Sequence, residues 1–234
     1  MNRQTVIFED LGRMPYQQAW DYQEELLQGN ILIKSQSLGH TINHLLFVEH
    51  PPVFTLGKSG HLTNLLIPEE GMKEKGIEFF NTNRGGDITF HGPGQLVGYP
   101  ILDLEYFGTD IGKYLRNLEE VIILTLRDYG IEAGRSPGET GVWIEPSVAG
   151  KERKIAALGV RCSRWITMHG FAFNINTDLS FFDHIIPCGI QHKKVTSLEL
   201  EYGQKIQVDE VKEKVRRYFE EVFAADLIFK TLSE

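Results

Sequence analysis

The chain has 234 residues, 41% of them hydrophobic, with 24 Lys and Arg against 32 Asp and Glu, for a formal net charge of −8. That size supports one core of ordinary dimensions, and the acidic balance disfavours wholesale binding to nucleic acid. Cys162 and Cys188 are the only cysteines, too few for a disulfide framework. A reducing, cytoplasmic setting is therefore expected. No apolar run approaches a membrane span and the first residues have no signal-peptide pattern, so no membrane partner is expected.

In chain order, residues 5–8 are short and apolar enough for a strand. Over 15–28 the residues Tyr16, Ala19, Trp20, Leu26 and Leu27 share one helical face, with Pro15 suited to the first turn and Gly29 to a stop. Residues 45–48 predict a buried strand that His50-Pro51-Pro52 cannot continue. His40 and His44 stand four apart, but no third ligand accompanies them, and no metal site is expected. A short helix over 68–75 and a strand over 78–81 follow, then a strand over 96–102. Asp110 caps a long helix to about residue 129, with Tyr114, Leu118, Val121, Ile122 and Leu126 along its apolar stripe and Gly130 as its stop. Residues 142–144 read as a strand, and 154–160 and 165–175 as a hairpin pair. Asp209 is expected to cap a final helix bearing Val211, Val215 and Phe219. A polar turn over 201–204 makes the last thirty or so residues a possible semi-separate piece. Strands outnumber helices and do not alternate with them, which favours α+β over a doubly wound sheet.

One stretch resists assignment to either element. Residues 84–99 read Arg-Gly-Gly-Asp-Ile-Thr-Phe-His-Gly-Pro-Gly-Gln-Leu-Val-Gly-Tyr. The glycines let backbone approach backbone or a ligand, and Arg84, Thr89, His91 and Gln95 are polar groups among residues without bulk. That composition suits a pocket wall, and equally a tight hairpin. Thr55-Leu-Gly-Lys-Ser59 is not a phosphate loop, because Pro52 stands where that pattern needs glycine.

Cys188 lies between Pro187 and Gly189, which places its thiol on a turn. It is a candidate nucleophile, although free cysteines are as a class often inert core residues. Lys154 opens the run Ile-Ala-Ala-Leu-Gly159. It either snorkels to solvent or stands within ~4–6 Å of the sulfur and favours the thiolate. A free thiol of pKa ~8.5 is only about 3% ionised at pH 7.

Four segments in order carry a family resemblance. They are Arg84-Gly-Gly-x-x-Thr89-x-His91-Gly-Pro-Gly-Gln95, Lys154-Ile-Ala-Ala-Leu-Gly159, His169-Gly-Phe-Ala172 with Asn174, and Pro187-Cys-Gly189. Together they resemble the octanoyltransferase family of lipoate biosynthesis. The resemblance implies a single domain over 1–234 with a mixed, largely antiparallel sheet flanked by helices, as in biotin and lipoate protein ligases. It implies transfer of an octanoyl or lipoyl group from its thioester on acyl carrier protein to a lysine of a lipoyl domain. The acceptors would be E2 subunits of 2-oxoacid dehydrogenases and the glycine cleavage H protein. By the same carry-over Cys188 is the nucleophile and Lys154 tunes it. Arg84, Gly85, Gly86, Asp87, Ile88, Thr89, Phe90, His91, Ala157, Leu158, Gly159, Gly170, Phe171 and Ala172 would line the acyl pocket. No ATP and no metal would be needed; the alternative is an ATP-dependent lipoate ligase on the same scaffold. His91 and His169 are either general bases or residues that orient loops, the latter favoured because the lysine already handles protons. Lys151, Arg153, Arg161, Arg164, Lys193 and Lys194 are expected to include a docking patch for acidic partners.

Overall fold

A computed structural model describes residues 3–186 and 194–230. β1 (Gln4–Arg13) leads into α1 (Tyr16–Gln36), and β2 (Asn43–Glu49) returns beside β1. β3 (Val53–Leu56), α2 (Glu69–Glu74), β4 (Glu78–Asn81) and β5 (Ile88–His91) follow. Next come β6 (Gln95–Ile101), a short α3 (Leu104–Phe107) and the long α4 (Ile111–Arg127). β7 (Ala133–Ser136), β8 (Glu139–Ile144), β9 (Arg153–Ser163) and β10 (Ile166–Asn174) run as successive antiparallel hairpins. β11 (Lys194–Val195), α5 (Leu198–Tyr202), α6 (Val208–Phe223) and β12 (Ala225–Phe229) complete the described chain.

Among the described residues, nine strands form one sheet in the order β12-β1-β2-β6-β10-β9-β8-β7, with β11 beside β9. β1 is parallel to β2 and β12, β11 is parallel to β9, and the remaining pairs are antiparallel. A second sheet, β4-β3-β5, stands apart from it. The architecture is α+β with a mixed, largely antiparallel sheet, as expected.

Alternation along the central strands divides the core. Phe171 and Phe173 of β10 pack with Leu118, Val121 and Ile122 of α4 and with Val215 and Phe219 of α6. Met168 and Ala172 face the other way, toward Ala19 and Leu27 of α1. The second sheet has its own apolar cluster around Phe54, Ile88 and Phe90, closed by Met72 of α2 and Phe182. α6 packs in the same cluster as α4, and β12 extends the main sheet beside β1.

α1 does not stop at Gly29. It runs eight residues beyond the expected end at 28, to Gln36, and terminates at Ser37, which takes the left-handed conformation at φ 54°. A glycine inside a helix costs only about 0.5–1 kcal/mol relative to alanine, and tertiary contacts outweigh it. Asn30 bonds both the carbonyl and the N–H of Ile42 at 2.8 Å, and Lys34 reaches Asp103 at 3.0 Å. Asp209 is not the cap of the last helix. Gln207 holds that position without a side-chain bond, while Asp209 and Glu210 lie in the first turn, where the helix dipole favours negative charge. Asp110 does cap α4, accepting from the Lys113 N–H at 3.0 Å. The glycine-rich stretch is not loop throughout, because its residues 88–91 pair with β3.

Candidate active site

A cavity of about 630 Å³ opens between α1, the central strands of the main sheet and the loop that joins β4 to β5. That loop is laid down by backbone bonds. Lys58 N–H donates to Arg84 O at 2.9 Å, Ser59 N–H to Gly86 O at 3.1 Å, and Gly85 N–H to Val160 O at 2.9 Å on β9. The crossing is tight enough to require glycine at 159, since a Cβ there would sit 2.7 Å from Gly85 O. Arg84 is buried beneath the loop. Its Nη2 donates to Thr55 O at 2.6 Å, Thr55 Oγ1 at 2.9 Å and Asp87 O at 2.8 Å. These bonds tie the second sheet to the wall of the cavity.

Of the sequence candidates, Arg84 to Thr89, His91, Lys154, Ala157 to Gly159 and Gly170 to Ala172 all line this cavity. Phe90 does not. Alternation along β5 sends it into the core of the second sheet, stacked on Phe181 at 4.6 Å and edge-on to Phe182 at 5.6 Å. Cys188 and Lys193 lie outside the described residues. On either side of that segment, Ile186 N–H donates to Asn64 O at 2.8 Å, and Val195 lines the cavity as the Cα partner of Lys154. The lining also includes Tyr99, which closes the glycine-rich stretch, and Tyr16, Ile111, Leu115 and Thr140, which carried no functional signal in the sequence. Tyr16, Ile111 and Leu115 belong to apolar helical stripes that read as simple core.

Lys154 reaches the cavity because of an irregularity in β9. Val142 pairs with Ala156, but Trp143 pairs with Lys154, so Ile155 is an extra residue. Ala156 and Leu158 pack toward α4, and strict alternation would send Lys154 the same way. The bulge reverses its direction, as bulges do.

The floor of the cavity is a hydrogen-bonded polar layer. Gln95 Nε2 donates to Phe90 O at 3.1 Å and Asn174 Oδ1 at 2.9 Å. Its oxygen therefore accepts from His91 Nδ1–H at 2.8 Å, which leaves His91 Nε2 to accept from Thr55 Oγ1 at 3.3 Å. His50 Nδ1–H donates to Met14 O at 2.8 Å, and its Nε2 accepts from the Tyr99 hydroxyl at 2.7 Å. His169 stands at φ 58° and donates from Nε2 to Asn83 Oδ1 at 2.7 Å. Burial holds all three histidines neutral. It lowers His50 to about 4 against the opposing Met14 carbonyl. It lowers His169 to about 3, with Arg84 and Arg161 adding to the effect. His91 is driven well below 6.5, with His50 and Arg84 adding. Tyr16 is pushed up to about 12 by burial, against the pull of Arg84, so its hydroxyl remains a donor.

These directions fix the acid side of the stability curve. All three histidines have folded values below the ordinary 6.5. The unfolded chain then binds protons that the folded chain refuses, and stability present above pH ~6.5 is lost as pH falls toward the folded values. Each histidine contributes a slope of up to about 1.4 kcal/mol per pH unit. His44 is shifted the same way by its burial. Urea unfolding at pH 7.5, 6 and 5 is expected to show this decline before most carboxylates titrate. A flat profile to pH 5 would mean that the layer is protonated in the folded protein.

Among the residues expected to include a docking patch, Arg153 is paired with Glu145 and Glu201, and Arg161 with Glu24.

The structure superposes on the bipartite lipoate protein ligase of Thermoplasma acidophilum with a TM-score of 0.70, at 19% identity over 100% of this chain and 89% of that one. It matches the biotin protein ligase of Aquifex aeolicus with a TM-score of 0.50, at 14% identity over 95% of this chain and 69% of that one. The fold is that of the lipoate and biotin protein ligases. The family model of the lipoyl protein ligase A/B catalytic domain matches residues 15–220. The octanoyltransferase of Flavobacterium johnsoniae is 55% identical over 97% of this chain and 100% of its own length. The chain belongs to that catalytic-domain family, within its octanoyltransferase group, and is an acyltransferase.

Proposed function

We propose that the protein, acting as one unit over its whole length, transfers an octanoyl or lipoyl group from a thioester on acyl carrier protein to a lysine of a lipoyl domain. The acceptors are E2 subunits of 2-oxoacid dehydrogenases and the glycine cleavage H protein. Neither ATP nor a metal takes part, and the setting is cytoplasmic. The observation that carries the reading is the turning of Lys154 into a glycine-walled cavity by the β9 bulge. In this reading the Cys188 thiolate attacks the thioester carbonyl and expels the carrier thiolate, which takes a proton from the Lys154 ammonium and leaves the neutral amine for the second step. The acceptor amine then attacks the acyl-enzyme, forming the amide and returning the cysteine. Splitting the transfer into two steps lowers each barrier. The first exchange trades thioester for thioester and is nearly balanced. The second runs downhill to an amide, so no nucleotide is required.

Lys154 favours the thiolate in the first step. It serves as base in the second, once acylation has removed the negative sulfur. Val195, seven positions after Cys188 and paired with Lys154, supports their meeting. The glycine wall and the apolar face of Phe171 receive the acyl chain, whose burial is worth ~0.8 kcal/mol per methylene.

The test is incubation with octanoyl-loaded carrier in the absence of nucleotide, followed by intact-mass and peptide analysis. An octanoyl adduct on Cys188 that acceptor domain discharges is the expected result. Transfer from free octanoate that requires ATP would mark a ligase instead.

A further inference from the structure

Trp143 and Lys154 are Cα partners across β8 and β9, and Lys154 Nζ stands 4.7 Å from the centroid of the indole ring. The bulge at Ile155 that turns the lysine toward the cavity thus also sets it over the indole. A cation over a tryptophan face is attracted by the ring quadrupole, more strongly where water is excluded, and Trp143 is buried.

The other side of the lysine is bounded by Gly141. A Cβ at that position would sit 3.1 Å from Lys154 Cε and 3.4 Å from Cδ, so any larger residue would displace the lysine stem. Gly141 is itself fixed. Its N–H donates to Glu119 Oε1 at 2.9 Å. Glu119 is wholly buried on α4 and also takes Arg135 Nε at 2.9 Å and Arg116 Nη1 at 2.8 Å. A carboxylate on the long helix therefore anchors the start of β8, and β8 presents the indole in register with the lysine.

We propose that Trp143 is a positioning residue for acyl transfer, its indole face seating the Lys154 ammonium at the cavity wall. The proposal deepens the reading of Lys154 given above and rests on it for its catalytic consequence. A lysine has four side-chain torsions, and a seat of this kind narrows them.

The experiment compares wild type, Trp143→Phe and Trp143→Leu. The first substitution keeps a smaller aromatic face and the second removes it. The primary readout is the rate at which trinitrobenzenesulfonate labels Lys154 at pH 7, quantified on its peptide by mass spectrometry. Labelling is expected to rise roughly two- to thirtyfold in Trp143→Leu, the span of a cation–π contact, with Trp143→Phe between. Single-turnover octanoyl loading is expected to slow in the same order, with the KM for donor within about twofold of wild type. Near-UV circular dichroism and thermal melting confirm that each variant is folded, and Trp143→Phe carries the test if Trp143→Leu is not. Equal labelling of Lys154 in the folded proteins would overturn the proposal, as would loading in Trp143→Phe as slow as in Trp143→Leu. Lys154→Met separates the two layers. If it loads octanoyl at the wild-type rate, the reading of Lys154 fails and with it the catalytic part of the proposal.

Discussion

Cys188→Ser is expected to lose transfer activity by a factor on the order of 10³ or more, the scale seen when a covalent nucleophile is removed. A neighbouring ammonium can bring a thiol of ordinary pKa ~8.5 into its ionised range near neutrality. A drop of about two units makes such a thiol mostly thiolate and corresponds to roughly 2.7 kcal/mol, within the reach of one partly buried opposite charge. The same ammonium cannot ionise a serine hydroxyl to a useful extent. The variant should melt with wild type, because oxygen for sulfur is a small change of volume. It should accumulate no octanoyl thioester in the mass assay. Full turnover by Cys188→Ser would sink the two-step mechanism, and the carrier and acceptor would then have to react directly.

The second large effect is on the fold. Gly170→Ala places a Cβ 2.1 Å from the carbonyl oxygen of Gly98 and 2.7 Å from Pro100 Cδ. β10 and β6 are neighbours in the middle of the main sheet, and a backbone carbonyl cannot swing aside as a flexible side chain can. The two strands must separate, at a cost of ~3 kcal/mol, the upper end of the usual overpacking range. For a chain of this size that lowers Tm by roughly 6–12 °C. Gly29→Ala is the contrasting control. Nothing lies within 4 Å of the added methyl group, and inside α1 alanine should stabilise by about 0.5–1 kcal/mol. Calorimetry on the two variants should show shifts of opposite sign. A neutral Gly170→Ala would mean that the sheet yields where the packing says it cannot.

Much of this protein is legible in its sequence. The long amphipathic α4, its Asp110 cap and the β9–β10 hairpin follow from periodicity and capping chemistry, which act over a few residues. The excess of glycines over 84–99 marked a wall without side chains, and the loop does lie against β9 at Gly159. Other features were misread for physical reasons. Gly29 looks like a stop, but Asn30 and Lys34 make contacts with residues 12 and 69 positions away. Phe90 belongs to the pocket set that the family resemblance implies, whereas the pairing of β5 with β3 turns its ring into the core of the second sheet.

Local sequence therefore determined α4 with its cap, the β9–β10 hairpin and the family to which the four motifs belong, since those depend on neighbours along the chain. Only the tertiary structure decided which way Lys154 points. One extra residue in β9 inverts the face of everything before it, and its presence is defined by the pairing with β8. The same holds for Trp143, an aromatic residue in a short apolar strand until the register places a lysine over its ring. It holds too for the neutral histidine layer, because burial is set by what the rest of the chain packs around a side chain.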